Sequence, residues 1–494
     1  MLMRRLFIFS ILLTACMFTG CENWLNVKPQ NEQANDEFWN NKEEVEAVVN
    51  GCYQQLRTCL QYMVKWGELR GDVVELGPGL NSDQDMLNVK NIEIKPDNSI
   101  CNWQPFYNAI NRCNAVITCA EGVLEKDNTF SEKACAAYIA EAKWIRALSY
   151  FYLVRTFCDV PYITQPYLDD QVKFEVPKSE GYEVLRTLAT DLEECMSDLP
   201  FTYGVGSWEN KGRATIWAAY ALLADMYLWI EDYQKCIDMC NRLEQSMYFL
   251  LVPNEDWYSI YYPGNSAEGI FELQWSVDYE QTNNLFAWFY NENSNNSYAV
   301  SDAAVARFSE YPGEDDVRGT GGSFIEASSK IWKYAGTARG VDNLRATSNR
   351  DANWIIYRYA DIILMHAEAL VMSDVENDFA QAYDYVVQVR ERAGYVTHPP
   401  MPTSQFEAAD IILDERMREL CFEGKRWFDL VRMAVRNNGE RKDKLISLLL
   451  LNVAAKDRPL FESKLQNIYG YYLPINESDI DSSGGLLIQN PYYL

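Results

Sequence analysis

The sequence predicts an all-α fold: stacked helical pairs as a scaffold, with an irregular loop-rich lobe and few short strands. Three observations carry this reading. Apolar residues recur at helical spacing over most of the chain. Several stretches repeat one two-helix pattern, in which a small residue on each helix lets the pair pack closely. Between about 249 and 354 that periodicity fades, and Pro, Gly, Asn and Ser become frequent.

The chain opens on Arg4 and Arg5, followed by the short apolar run Leu6–Leu13. A bilayer-spanning helix takes about 20 apolar residues, so residues 1–20 read as an export signal instead. A cysteine at its end resembles a bacterial lipoprotein signal. Two cysteines qualify: Cys16, after Leu13-Thr14-Ala15, and Cys21, after Phe18-Thr19-Gly20. In lipoproteins that cysteine carries acyl chains, and more than one chain is needed for stable anchoring.

A first helical pair is expected around 44–60 with 102–120, where Trp103 precedes a helical pattern and reads as core. A long helix runs from about Ser131 to Phe157, with Thr129 and Glu132 as a capping box. Tyr138, Ala142, Ile145 and Tyr152 make its apolar face, and Asp159-Val160-Pro161 ends it. A second pair spans about 213–246, with a turn near Glu231-Asp232; Leu223, Ala224 and Tyr227 mark one helix, Cys236 and Cys240 the other. A third spans about 357–393 and carries Ala367, Ala369, Ala382, Val386 and Val389. These large-and-small intervals resemble the tetratricopeptide helix-turn-helix, whose units stack because none buries its apolar face alone. The scaffold is therefore placed at about 40–248 and 355–440, and the lobe at about 249–354 with a short strand at Ile270–Gln274.

Composition excludes several functions. Acidic residues outnumber basic ones 71 to 44, for a net charge of −27. A nucleic-acid binder needs a basic footprint to displace counterions, and none is visible. Removing Cys16 and Cys21 from the 13 cysteines leaves 11, an odd number without repeated spacing. They lie in apolar helical patterns and read as small hydrophobes rather than a disulfide framework. Only 2 histidines, His366 and His398, and no Cys-x-x-Cys pair argue against zinc; His366 reads as a core residue. Asn81, Asp83 and Asp85 alternate as calcium loops begin, but Met86 and Ile92 stand where such a loop needs Gly and Glu. There is no nucleophile elbow and no phosphate loop; Gly77-Pro78-Gly79 is too short for one.

Glu415, Glu419 and Glu423 recur every four residues and share one helix face. With Arg416, Arg426 and Asp429 interleaved, they read as a structural ion-pair network, since buried charge persists only when paired.

Ordered motifs then carry a family resemblance. Arg358-Tyr359-Ala360-Asp361 through Leu370, Val389-Arg390-Glu391-Arg392-Ala393-Gly394, Glu415–Glu419 and Phe422–Leu430 resemble the signature segments of the SusD/RagB outer-membrane lipoproteins. Glu141–Ala147 with Asp159-Val160-Pro161, the start Cys21–Pro29, and the ending Tyr472–Ile475 with Gln489-Asn490-Pro491 are similar to the rest. The match at Cys21–Pro29 favours Cys21 as the lipid anchor. Cys158 departs from the family's frequent glycine, and Tyr492 from another.

The resemblance implies one domain over 21–494, anchored by lipid and exposed on the outer membrane, without catalysis, metal or cofactor. It implies capture of an oligomer, most often an oligosaccharide, and delivery to a TonB-dependent transporter of the SusC/RagA type. A peptide ligand, as in the RagB branch, and a pure protein-interaction scaffold are the alternatives. A sugar site needs aromatic platforms ringed by amides and charged groups. The stretch Tyr279–Tyr298 supplies Trp288 and Tyr290 among Asn283, Asn284, Asn291, Asn293, Asn295 and Asn296. Trp66, Arg70 and Asp72 form a second candidate, since the family often draws ligand contacts from this early region, though Arg70 and Asp72 can also pair with each other; Asn81 is a third.

Overall fold

The computed structural model describes residues 38–167, 176–291, 293–346, 348–373 and 378–494. The leader and both candidate anchor cysteines, Cys16 and Cys21, lie outside the described residues. Among the described residues, ten helices of 13 residues or more form the scaffold. They are α1 (Lys42–Thr58), α2 (Gln104–Cys119), α3 (Glu132–Phe157), α4 (Gly181–Cys195), α5 (Ile216–Trp229), α6 (Tyr233–Gln245), α7 (Tyr359–Met372), α8 (Phe379–Ala393), α9 (Gln405–Leu420) and α10 (Arg426–Gly439).

Each of α1 to α9 packs on the next in chain order, as in a solenoid. The expected pairs appear as α1/α2, α5/α6 and α7/α8. A further pair, α3/α4, has α4 as a member that the sequence reading does not contain; Val184, Leu185, Leu188 and Leu192 make its buried face at helical spacing. The cap of α3 is also corrected. Ser131, not Thr129, accepts the Ala134 N–H at 3.2 Å, while Thr129 bonds back to Asp127. The small residues work as expected: Ala218, Ala221 and Ala224 of α5 are fully buried, and Trp144 of α3 donates its indole N–H to the Ala218 carbonyl at 2.9 Å.

Short antiparallel strands organise the lobe. β1 (Val74–Leu76) pairs with β3 (Tyr298–Val300), and β2 (Gly269–Leu273) pairs with β4 (Trp354–Arg358). The strand expected at Ile270–Gln274 is β2. β4 runs directly into α7 and so aims Arg358 into the centre of the molecule.

There Glu415 and Glu419 of α9 find their partners, joined by Glu423, which lies three residues past the end of the helix at Leu420 and so is off the shared helix face that its spacing predicts. Arg358 binds Glu268 at 2.7 Å, Glu419 at 2.6 Å and Glu423 at 2.8 Å. Lys333 pairs with Glu423, Arg392 with Glu268, Arg390 with Glu415, and Arg318 with Glu415, Glu419 and Asp316. Five cations and five carboxylates thus form a neutral buried lattice. Most partners come from the lobe, β4 and α8, rather than from the interleaved Arg416 and Arg426. Those two build a second cluster. Arg416 holds Asp361 and Asp429, Arg432 and Arg436 hold Glu368, and Arg426 grips Asp72. His366 is a satisfied core residue, its Nδ1 2.6 Å from Glu244. Trp103 is core, as expected.

Two backbone features are forced. Gly67 lies so close to Gly424 that a Cβ there would sit 1.9 Å from the Gly424 carbonyl oxygen. Cys158, at the end of α3, holds φ 69° and ψ −85°, a region that suits glycine. The 11 described cysteines are all free thiols and nine are buried.

Three predictions follow from this architecture. Arg358→Met strands Glu268, Glu419 and Glu423 without their shared cation, and losing one partner of a buried pair costs about 3–5 kcal/mol; the denaturation midpoint should fall accordingly. Cys158→Gly relieves the strained φ and should raise stability by about 1 kcal/mol in chemical denaturation. The third concerns pH. Burial pushes Glu68 up to about 8 despite the Gly424 and Lys425 N–H groups that it accepts. A raised folded pKa means that burial of this carboxyl costs nothing below its unfolded value, where it is protonated in both states, and destabilises the fold as pH climbs from there through 8. Asp361 acts oppositely: burial raises it, but Lys425 and Arg416 prevail and hold it at about 2, so its contribution is lost as pH falls towards 2. Glu68→Gln should therefore match the native protein at pH 5 and exceed it at pH 9 in the unfolding free energy read from urea denaturation, by on the order of 3–5 kcal/mol.

Candidate ligand-binding rim

The β1–β3 pairing brings together two loops that are far apart in sequence. Leaving β1, Gly77 donates its N–H to the Ser297 carbonyl at 2.8 Å, and Gly79 donates to Asn296 at 2.9 Å. A Cβ on Gly77 would lie 2.3 Å from the Asn296 oxygen, and one on Gly79 2.6 Å from that of Asn295. Gly77-Pro78-Gly79 is thus the seam of two loops. Asn81 stands exposed on one side of it, with Asn293 and Asn295 exposed on the other.

The second loop starts with a short helix, Leu285–Phe289. Leu285, Phe286 and Phe289 anchor it inward, Phe289 stacking on Tyr334 with ring centres 5.8 Å apart. This leaves Trp288 and Tyr290 half-buried at the surface. Tyr290 packs edge-on against Trp332 at 5.4 Å, and Lys330 Nζ sits 4.3 Å from its ring centre. Lys330 also donates to the Asn291 carbonyl at 3.1 Å, which fixes the loop to the small hairpin in which Phe324–Ile325 pairs with Lys330–Ile331. Three of the asparagines are structural: Asn283 bonds Ala352 and Leu285, Asn296 donates to Tyr298, and Asn291 accepts the Asn293 N–H at 3.0 Å. Tyr279, at the start of the same stretch, is 79% exposed. Composition alone does not distinguish Tyr279 from its neighbours, and the supporting Lys330 and Trp332 come from a segment that it does not connect to the site.

Trp66 and Asp72 are corrected, and so is the pairing of Arg70 with Asp72. Trp66 lies on a π-helical turn, stacked on Phe106 at 5.0 Å, with its indole N–H donated to Ile100 at 2.8 Å. It is core and offers no platform. Asp72 is buried with both oxygens on Arg426, at 2.6 and 2.8 Å. Arg70 does not pair with Asp72; it donates to the Gly470 and Tyr471 carbonyls and covers the Trp427 ring at 4.3 Å. It lines a cleft of about 400 Å³ with Ile92 and Phe461, and no rim residue named above shares that cleft. Of the calcium-like trio, Asp83 caps Met86 and Asp85 accepts from Ser99. Among the described residues no group of His, Cys, Asp and Glu is arranged to hold a metal.

The rim thus presents aromatic rings and amides. The described carboxyls that burial pushes up lie elsewhere: Glu68, Glu141 and Glu272 inside the protein, Asp479 half-buried near the C-terminus. Among the described residues no helix is long and apolar enough to cross a membrane.

Both halves of this architecture match known families. The sequence profile of the SusD family matches residues 215–493, and one described as starch-binding, associating with outer membrane, matches residues 23–228. The chain belongs to the SusD family. Among its SusD-like relatives, protein P38 of Formosa agariphila is 26% identical over 474 residues, covering 86% of this chain and 90% of that protein. A SusD-like protein of Bacteroides ovatus is 25% identical over 481 residues, covering 86% and 83%. In three dimensions the fold is that of a SusD superfamily protein from Bacteroides vulgatus, with a TM-score of 0.74 and 22% identity over 92% of this chain and all of that one. Surface glycan-binding protein A of Bacteroides thetaiotaomicron, solved in complex with laminarihexaose, superposes with a TM-score of 0.70 at 22% identity, over 91% and 99% of the two chains.

Proposed function

We propose that this SusD-family chain captures an oligosaccharide on the rim formed by residues 77–83, 279–291 and 293–297, and makes or breaks no bond in it. The carrying observation is the seam of β1 and β3, which sets exposed Asn81, Asn293 and Asn295 beside the loop that bears Trp288 and Tyr290. Sugar rings offer apolar C–H faces to aromatic platforms and hydroxyls to amides, and this surface has both. The laminarihexaose-bound relative and a laminarin-binding SusD-like protein of the same fold support the choice of ligand class. A lipid on Cys21, or on Cys16, holds the chain on the outer membrane, where it passes its cargo to a TonB-dependent transporter of the SusC/RagA type. The net charge of −27 favours a second reading, a basic peptide as ligand.

Calorimetric titration against oligosaccharide and peptide panels tests both. Trp288→Ala should weaken binding of the retained glycan at least about tenfold, or 1.4 kcal/mol, while the melting temperature stays near native. Heat only with peptides assigns the rim to the second reading. Undiminished glycan binding by Trp288→Ala and Tyr290→Ala overturns the placement of the site.

A further inference from the structure

Among the described residues the buried cations follow one rule, with Lys330 as its exception. Every other buried Lys or Arg makes an ion pair with a carboxylate. Lys330 is as buried as they are, at 8% exposed, and pairs with no described carboxylate. Its ammonium has the Tyr290 ring instead, 4.3 Å from Nζ to the ring centre, and the Asn291 carbonyl at 3.1 Å. Both belong to the rim. Burying a charge is costly unless it is paired, so a lone cation behind a candidate platform calls for a role.

The backbone is shaped to put Lys330 there. Asn291 holds φ 44°, and Ser329, just before Lys330, holds φ 54°. Such conformations persist where the surroundings enforce them, and they cluster at ligand clamps. The Ser329 carbonyl accepts the Val300 N–H at 2.9 Å, which ties Lys330 to β3 and the seam. Because Lys330 is buried, it covers the inward face of Tyr290 and leaves the outward face to a ligand. A cation on one face draws the π density of the ring towards itself. The outward face is left poorer in electrons, less suited to the C–H groups of a neutral sugar and better suited to a negative group. The rim segments carry Asp83 and Glu280 and no Lys or Arg of their own, and Asp83 is engaged by the Met86 N–H. The remaining charges of this acidic chain are screened over about 8 Å at physiological salt, whereas Lys330 acts from 4.3 Å behind the contact face.

We infer that the glycan held on the rim is acidic, and that Lys330 is the positioning residue that selects its carboxylate or sulfate group across Tyr290. This rests on the proposed glycan capture and adds charge as the recognised property. The attraction of Lys330 remains available to a ligand because no described carboxylate of the fold takes it. Binding of the acidic chain is therefore weakened by salt, which screens a charge contact and leaves the stacking of a neutral sugar in place.

The full-length protein in detergent is screened on an array of uronate-containing, sulfated and neutral oligosaccharides, and acidic chains should be retained. The retained chain is then titrated calorimetrically beside its carboxyl-reduced or desulfated form, which tells the two acid groups apart. Native protein should bind the acidic form at least about tenfold more tightly than the neutral one. That preference should vanish in about 1 M NaCl, where charges are screened within about 3 Å. Lys330→Gln keeps a donor for the Asn291 carbonyl and removes the charge. It should weaken the acidic form about tenfold and leave the neutral form unchanged, while Lys330→Arg keeps the preference. Equal loss on both forms makes Lys330 a prop for the loop and overturns the inference, as does undiminished acidic binding by Lys330→Gln. If Lys330→Gln does not fold, the acidic-to-neutral ratio of the native protein and its response to salt decide. Retention of neutral chains only overturns the acid preference and leaves the rim reading to Trp288→Ala. An array on which no glycan is retained overturns both.

Discussion

Arg358 is the constraint around which the rest of the molecule is arranged. Its guanidinium is fully buried and reaches Glu268, Glu419 and Glu423, which come from the lobe and from the end of the α9 segment. A charge without solvent must be matched by opposite charge at hydrogen-bond distance, or the folded state loses several kcal/mol. Each carboxylate therefore fixes where its own segment sits relative to β4. Arg318, Arg390 and Arg392 extend the same demand to the lobe and to α8. Such a lattice does little for net stability compared with a well-packed apolar core. It does penalise every arrangement in which one member is displaced.

The rim has the opposite character. Its loops are held by backbone hydrogen bonds at the Gly77–Gly79 seam, by the inward anchors Leu285, Phe286 and Phe289, and by Lys330. The outward side chains take little part in holding the fold, so Asn81, Asn293, Asn295 and Tyr279 can change without disturbing the ion lattice. The molecule thereby separates a rigid frame from a variable surface, as loops on a fixed scaffold generally do.

This separation also explains what was legible in the sequence. The frame is periodic and charged in pattern, so α3, the α5/α6 and α7/α8 pairs and the Glu415–Glu423 stripe were readable. Helix α4 escaped because its spaced leucines follow a Pro-containing stretch without a strong cap. The Trp66 and Asp72 assignments failed for a common reason. An aromatic residue or a carboxylate beside glycines looks the same whether its partner is a ligand or a distant segment, here Phe106 and Arg426. The placement of Asn81 beside Asn293 and Asn295 depends on the β1–β3 pairing, whose partners lie in different halves of the chain, and no local pattern announces it.

The 11 free thiols have a consequence of their own. Burial pushes Cys135 and Cys421 up to about 11 and Cys195 to about 12, so they stay protonated and poor in nucleophilicity at neutral pH. Among the described residues no cross-link has to form before the fold is complete. The nine buried thiols thus serve the described body as apolar filler rather than as reactive groups.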